Sequence, residues 1–356
     1  MIYYIIAAIF PIVMWILYEY ITGANQFDDK QKIKFRNLLT VISILPMFLL
    51  FVLRYKYIGA DTIGYVNFFQ REIRTFSFGN LFNQDLMRFE IGYRLYVKLI
   101  SLFTENYTVF FLVNGVIIFG SLLRFAKKYT DNPFVFFFLF MTLGTYSFME
   151  TGLRQTLAII ICLWSIDFLK DRKIIRFILV VLLASMFHVS AIVFLLILPL
   201  FVIKRIDRTI VTHAVVALVF FFGFAFFQDL FNQWLGYDYG IEETGNGGIF
   251  FLLVSILFAF SLFMTYDKYS KLEGQSLIVH LAVLTVTFWL LRLISRTAER
   301  VSYYFIIGLY AYFGQAVQCR KDKFWDLAKG LLLVICFALF IYRNINANYL
   351  FFWQGA

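Results

Sequence analysis

The chain has 356 residues, 62% hydrophobic and 21% aromatic, with only 15% charged and a mean hydropathy of +0.78. Soluble domains run near half apolar and a quarter charged, so a soluble globular protein is excluded and an all-α polytopic membrane protein is expected. The net charge of +10 would point to nucleic acid in a soluble chain. Here it fits lysines and arginines that hold loops in the cytoplasm, and no nucleic-acid partner is expected.

Residues 1–21 begin apolar, with no basic leader or small-residue cleavage site, and read as a first span rather than a signal peptide. About 20 helical residues cross a ~30 Å hydrocarbon core. On that measure the apolar runs mark spans near 2–21, 38–53, 107–123, 133–149, 153–169, 174–187, 190–203, 210–228, 248–266, 276–294, 301–318 and 330–346, about twelve in all. No linker divides them, so residues 1–356 read as a single membrane domain. Cys162, Cys319 and Cys336 lack paired or metal-like spacing, and neither a disulfide nor a zinc site is expected.

Loops 22–37, 124–132, 170–176, 204–208, 267–275 and 319–329 hold 20 of the 32 lysines and arginines, against 11 on the alternate side. The richer loops belong in the cytoplasm. Both termini then face out, as do the acidic loop 229–247 and the polar stretch 54–106. Within that stretch Arg94, Lys98, Ser101 and Glu105 share one helical face, and Leu95, Leu99, Leu102 and Phe103 take another. The pattern suits an interfacial or re-entrant amphipathic helix. The pair 174–203 has about 14 residues per arm, each reaching roughly 21 Å, and reads as a shallow helical hairpin with His188 near its tip.

Several polar groups sit where lipid would accept none. Arg292, Arg296 and Arg300 are spaced at four and line one face if the helix continues. Guanidinium groups bind phosphate oxygens bidentately, so they suit an anion clamp, with snorkelling or a salt bridge to Glu299 as the plainer reading. Glu150 and Arg154 could pair at i,i+4, with Gln155 and Thr156 beside them. His188 could act as a base or serve as a hydrogen-bonded interface residue. Asp61 fits a helix N-cap, while Tyr65 on the same face could join it in holding sugar hydroxyls and ring faces. No acidic cluster has metal-ligand spacing, so neither a metal nor a cofactor is expected.

Together these motifs are more specific. Arg54 with Ile58-Gly59-Ala60-Asp61-Thr62 and Tyr65, then Phe89-Glu90-Ile91-Gly92-Tyr93, resemble the first half of the EpsG family. Gly152-Leu153-Arg154-Gln155 with Ala158, and Ala184…Phe187-His188-Val189-Ser190-Ala191, look like its central motifs. The last third resembles the family mainly in its span pattern and a late outer arginine. The family's usual Glu-Pro-Gly-Tyr stands here as Glu90-Ile91-Gly92-Tyr93.

The resemblance implies a Wzy-like polymerase of capsule or exopolysaccharide synthesis with a GT-C-like architecture. Such an enzyme joins undecaprenyl-diphosphate-linked repeat units on the outer face of the cytoplasmic membrane. A chain-length regulator and other assembly proteins are the partners it implies. On this reading His188, Asp61 or Glu90 supplies the base. Arg154, Arg292, Arg296 and Arg300 hold the diphosphate with support from Arg54, and Tyr65, Tyr93 and Gln155 bind sugar. A flippase for the same lipid-linked substrate, a membrane acyltransferase and a structural export subunit are the alternatives.

Overall fold

The structure is a computed structural model that describes residues 1–25, 27–82, 89–201, 247–269, 276–320 and 322–355, with scattered positions between 211 and 233. The expected span 210–228, loop 204–208 and most of the acidic loop 229–247 lie largely or wholly outside the described residues, as do Asp85 and Arg88.

The long helices are α1 (Ile2–Ala24), α2 (Asp29–Leu53), α5 (Tyr107–Tyr129), α8 (Leu153–Lys170), α10 (Gly248–Tyr269), α11 (Ser276–Leu291), α12 (Thr297–Val317) and α13 (Lys323–Asn344). Shorter ones are α3 (Thr62–Asn67), α4 (Ile91–Ser101), α6 (Pro133–Thr142), α7 (Thr145–Thr151) and α9 (Ile174–Ser185). Their starts carry local signals: Asp28 and Gln31 form a capping box before α2, and Asn132 caps α6 with Pro133 at its first position.

Among the described residues five helices are long and apolar enough to cross a membrane, or six if α6 and α7 count as one. That pair, expected as one span over 133–149, bends by 60°. The cause is local: Leu143 and Gly144 interrupt the helix, with Gly144 at φ +84, a conformation that a glycine adopts without steric penalty.

The innermost helix is α12, buried continuously from Ser302 to Val317. Small residues let its neighbours close in. A Cβ on Gly308 would fall 2.1 Å from Leu281 Cβ of α11, and one on Gly314 would fall 2.2 Å from Thr130 Oγ1. Its tyrosine hydroxyls find partners inside the bundle, Tyr310 with Thr145 at 2.7 Å and Tyr312 with Thr265 at 2.7 Å. Apolar residues such as Ile16 at 63% and Val334 at 63% exposure face outward from α1 and α13, as lipid contact requires.

One end of the bundle gathers Met1, Arg54, Glu150 and the tail after α13. The Met1 ammonium donates to the Ala347 carbonyl at 2.7 Å, and Tyr55 N–H donates to the Leu350 carbonyl at 2.9 Å. The opposite end gathers loops 22–37, 124–132 and 319–329, where Arg36 donates to the Asp131 carbonyl at 3.2 Å.

Candidate functional site

Three segments distant in sequence meet at Glu90, the residue that precedes α4. The Arg154 guanidinium donates to Glu90 Oε2, His188 Nδ1 lies 3.0 Å from Oε1, and the Val189 N–H donates to Oε1 at 3.4 Å. The guanidinium also lies 4.5 Å from the Phe89 ring centroid and interacts with the Tyr65 hydroxyl. Side-chain exposures of 14% for Glu90, 19% for Arg154 and 16% for His188 leave the group sheltered yet reachable.

Burial pushes the Glu90 carboxyl up, but the His188 hydrogen bond and the Arg154 charge outweigh it and hold its pKa below the usual carboxylate value. At neutral pH Glu90 is therefore an ionised, acceptor-only group. His188 must then donate from Nδ1, and in the neutral ring that tautomer has its lone pair on Nε2. The arrangement is a histidine held in one tautomer by a carboxylate that an arginine holds in turn.

The glycines of the motifs explain how the segments come so close. Gly92 N–H donates to the Met186 carbonyl at 2.8 Å, and a Cβ on Gly92 would fall 2.8 Å from both that oxygen and Met186 Cβ. This contact sits two residues from Glu90 and two from His188, so it fixes their approach. Gly152 meets the Phe148 ring, which a Cβ would approach to 2.8 Å. Gly59 has φ +91, and a Cβ there would fall 2.4 Å from the Glu150 carbonyl oxygen. The Thr62 hydroxyl donates to that same oxygen at 2.7 Å.

The pairing of Glu150 with Arg154 does not occur. Gly152, at φ −97 and ψ 56, ends α7 and starts α8 in a new direction, so the two side chains do not share a helix. Glu150 instead accepts from the Tyr4 hydroxyl at 3.1 Å and faces Arg54. Arg54 has 0% exposure, with its guanidinium carbon 4.1 Å from the Phe51 centroid and 4.3 Å from that of Phe111. A direct grip on a diphosphate is not open to a side chain so enclosed; Arg54 braces the fold beside the site.

The arginines at 292, 296 and 300 do not line one helix face either. The chain turns between Leu291 and Thr297, which places Arg292 at the end of α11, Arg296 just before α12 and Arg300 within its first turn. Arg292 pairs with Glu299 at 2.8 Å and is buried, while Arg296 and Arg300 are exposed. Gln155 ties this turn to the site by donating to the Arg300 carbonyl at 2.7 Å. Ser190 and Tyr304 add a second tie at 3.0 Å.

Tyr65 and Tyr93 are buried, at 5% and 0% exposure. They pack with Phe68 and Phe89 as a floor under Arg154 rather than as an open sugar platform. Asp61 is exposed next to α3 and its side chain makes no cap bond. Two basic residues brace the loop internally. Lys98 donates to the Ile73 and Phe76 carbonyls at 3.1 and 2.7 Å. Arg74 donates to the Ser101 carbonyl at 2.8 Å and pairs with Glu105 at 2.6 Å. The polar face of α4 thus turns inward, leaving Leu99, Leu102 and Phe103 exposed at 53%, 57% and 88%.

Sequence reasoning missed two contributors, the Val189 N–H and the Phe89 ring. Both stood inside the motifs, Phe89 beside Glu90 and Val189 beside His188, but a backbone N–H leaves no mark in side-chain identity. Among the described residues no group of three or more His, Cys, Asp or Glu side chains could hold a metal ion.

The molecule is a polytopic helical membrane protein with an arginine–glutamate–histidine junction at one end of its bundle. Residues 37–354 match the family model described as the EpsG family, and the chain belongs to that family of Wzy-like polymerases. The match takes in the last third of the chain as well as the motifs of the first 200 residues. Neither a curated protein nor a solved structure matches the chain.

Proposed function

We propose that the chain is a glycosyltransferase that polymerises undecaprenyl-diphosphate-linked repeat units on the outer face of the cytoplasmic membrane, within a GT-C-like bundle of about twelve spans. The observation that carries this reading is the His188–Glu90–Arg154 junction, in a chain that belongs to the EpsG family. His188 Nε2 takes the proton of an acceptor sugar hydroxyl as its oxygen bonds to the anomeric carbon of the growing chain. The anomeric carbon–oxygen bond to the diphosphate breaks, and its electron pair leaves with undecaprenyl diphosphate. Arg300 and Arg296, exposed at the start of α12, stabilise the added charge on the leaving group. Preplaced donors of this kind are worth about 10²–10³ in rate each. Arg154 holds Glu90 and presents its remaining donors to the substrate, and Asp61 binds sugar hydroxyls at the rim. No metal is written into the step, and a chain-length regulator is the expected partner.

Reconstitution in proteoliposomes with lipid-linked repeat units alone tests the proposal. A ladder of lengthening products supports it. Movement of substrate between leaflets without a ladder would replace it with a flippase.

A further inference from the structure

A second polar cluster lies at the opposite end of the bundle. A cavity of about 460 Å³ is lined by Trp15, Tyr18, Lys32, Arg36, Asn132 and Gln318, with Glu19 and Asp131 among its other lining residues. A neighbouring cavity of about 300 Å³ shares Trp15, Glu19 and Gln318 with it and continues to Lys329, Gly330 and Leu333 of α13. Tyr4 contacts Glu150 beside the catalytic junction. The 14 residue steps of α1 from Tyr4 to Tyr18 span roughly 21 Å, so these cavities belong to the other leaflet.

Their chemistry is not that of a simple water pocket. Arg36 Nε and Asn132 Nδ2 are buried donors with no hydrogen-bond partner among the described residues, and an unmet buried donor is destabilising until an acceptor reaches it. Lys32 and Arg36 add positive charge, while Glu19 and Asp131 add negative charge on the same wall. Trp15 and Tyr18 are the side chains that favour the headgroup level of a bilayer. The second cavity is lined by Glu19, Gln318, Asp326 and Lys329 as well as by Trp15, Val317 and Leu333, the apolar side chains along which an acyl chain would run.

We propose that this paired cavity binds a phospholipid whose headgroup carries both a phosphate and a primary ammonium. Lys32, Arg36 and Asn132 hold the phosphate oxygens, Glu19 takes the ammonium, and the acyl chains leave along the groove between α1 and α13. The site is independent of the polymerase reading, because none of its residues belongs to the catalytic junction.

Native mass spectrometry of the full-length protein tests it, with phosphatidylethanolamine, phosphatidylglycerol and phosphatidylcholine as competing probes. Phosphatidylethanolamine should remain bound in preference to both. Asn132→Asp keeps the oxygen that caps α6 but removes the orphan donor and adds a negative charge. It should weaken retention about tenfold, the loss of one charge-assisted hydrogen bond. Arg36→Ala should weaken it at least as much, and circular dichroism with thermal melting confirms that each variant is folded. Equal retention of the three lipids, or unchanged retention in folded Asn132→Asp, would overturn the proposal. Saturation by inorganic phosphate alone would mark a free-anion site and overturn it too.

Discussion

Glu90→Gln is the most informative single change, because Gln has nearly the same volume but carries no charge. In the wild type one Glu90 oxygen accepts from Arg154, and the other accepts from His188 and from the Val189 N–H. The Gln amide can accept through one atom only, and its NH₂ faces either the guanidinium or the imidazole. Facing His188, it donates to Nδ1, moves the ring proton to Nε2 and removes the base. General-base catalysis contributes about 10²–10⁴ in rate, and the variant should lose that much. Arg154 would also lose its counter-charge while 19% exposed. That should cost about 2–3 kcal/mol, the size of a hydrogen bond to a charged group and less than breaking a fully buried pair. The assay is the initial rate of chain extension by purified protein on lipid-linked repeat units, with melting temperature measured in parallel. A rate within threefold of wild type in a destabilised variant would show that Glu90 serves the fold and not the chemistry.

Further expectations follow from the same contacts. Glu90 has a depressed pKa in the folded chain, so the stability it contributes is fully present above the ordinary carboxylate value and is lost as pH falls through the folded value. The melting gap between wild type and Glu90→Gln should therefore hold down to about pH 4.5 and close below it; a gap that closes near pH 6 would contradict the assignment. Gly92→Ala would place a methyl 2.8 Å from the Met186 backbone oxygen, and overpacking of this kind costs about 1–3 kcal/mol. It should shift Glu90 from His188 and lower chain extension at least tenfold, and an unchanged rate would refute the spacing argument. Arg54→Met removes a buried guanidinium that stacks on Phe51 and Phe111 and acts on Glu150 through its charge, a loss of about 1–2 kcal/mol. Adding Glu150→Gln should recover part of that loss in a melting experiment, whereas additive losses would show that the two side chains do not interact. A cysteine at exposed position 61 should be labelled by an impermeant maleimide from outside the cell, and one at exposed position 30 should not; the reverse result would invert the orientation.

Hydrophobic runs made the helices legible, because every backbone group in a bilayer must bond within its own element. The motifs likewise contain Glu90, Arg154 and His188. Their partnership was not legible, since Arg154 lies 64 residues and His188 lies 98 residues from Glu90. Two local readings failed for one reason. Glu150 with Arg154, and Arg292 with Arg296 and Arg300, have helical spacing, but the helix stops at Gly152 and again between Leu291 and Thr297. Periodicity describes a face only while the helix lasts. Lys98 and Arg74 bond main-chain carbonyls, and such acceptors leave no trace in side-chain identity. Burial was equally invisible: Arg54 and Tyr93 carry the motif yet have no exposed surface, and they act by holding others in place.

The central claim is that the His188–Glu90–Arg154 junction catalyses chain extension. Reconstituted wild type and His188→Ala, matched for melting temperature, should be given the same lipid-linked repeat units and followed by gel. Wild type should give a ladder and His188→Ala none. A ladder of equal rate from both would contradict the claim.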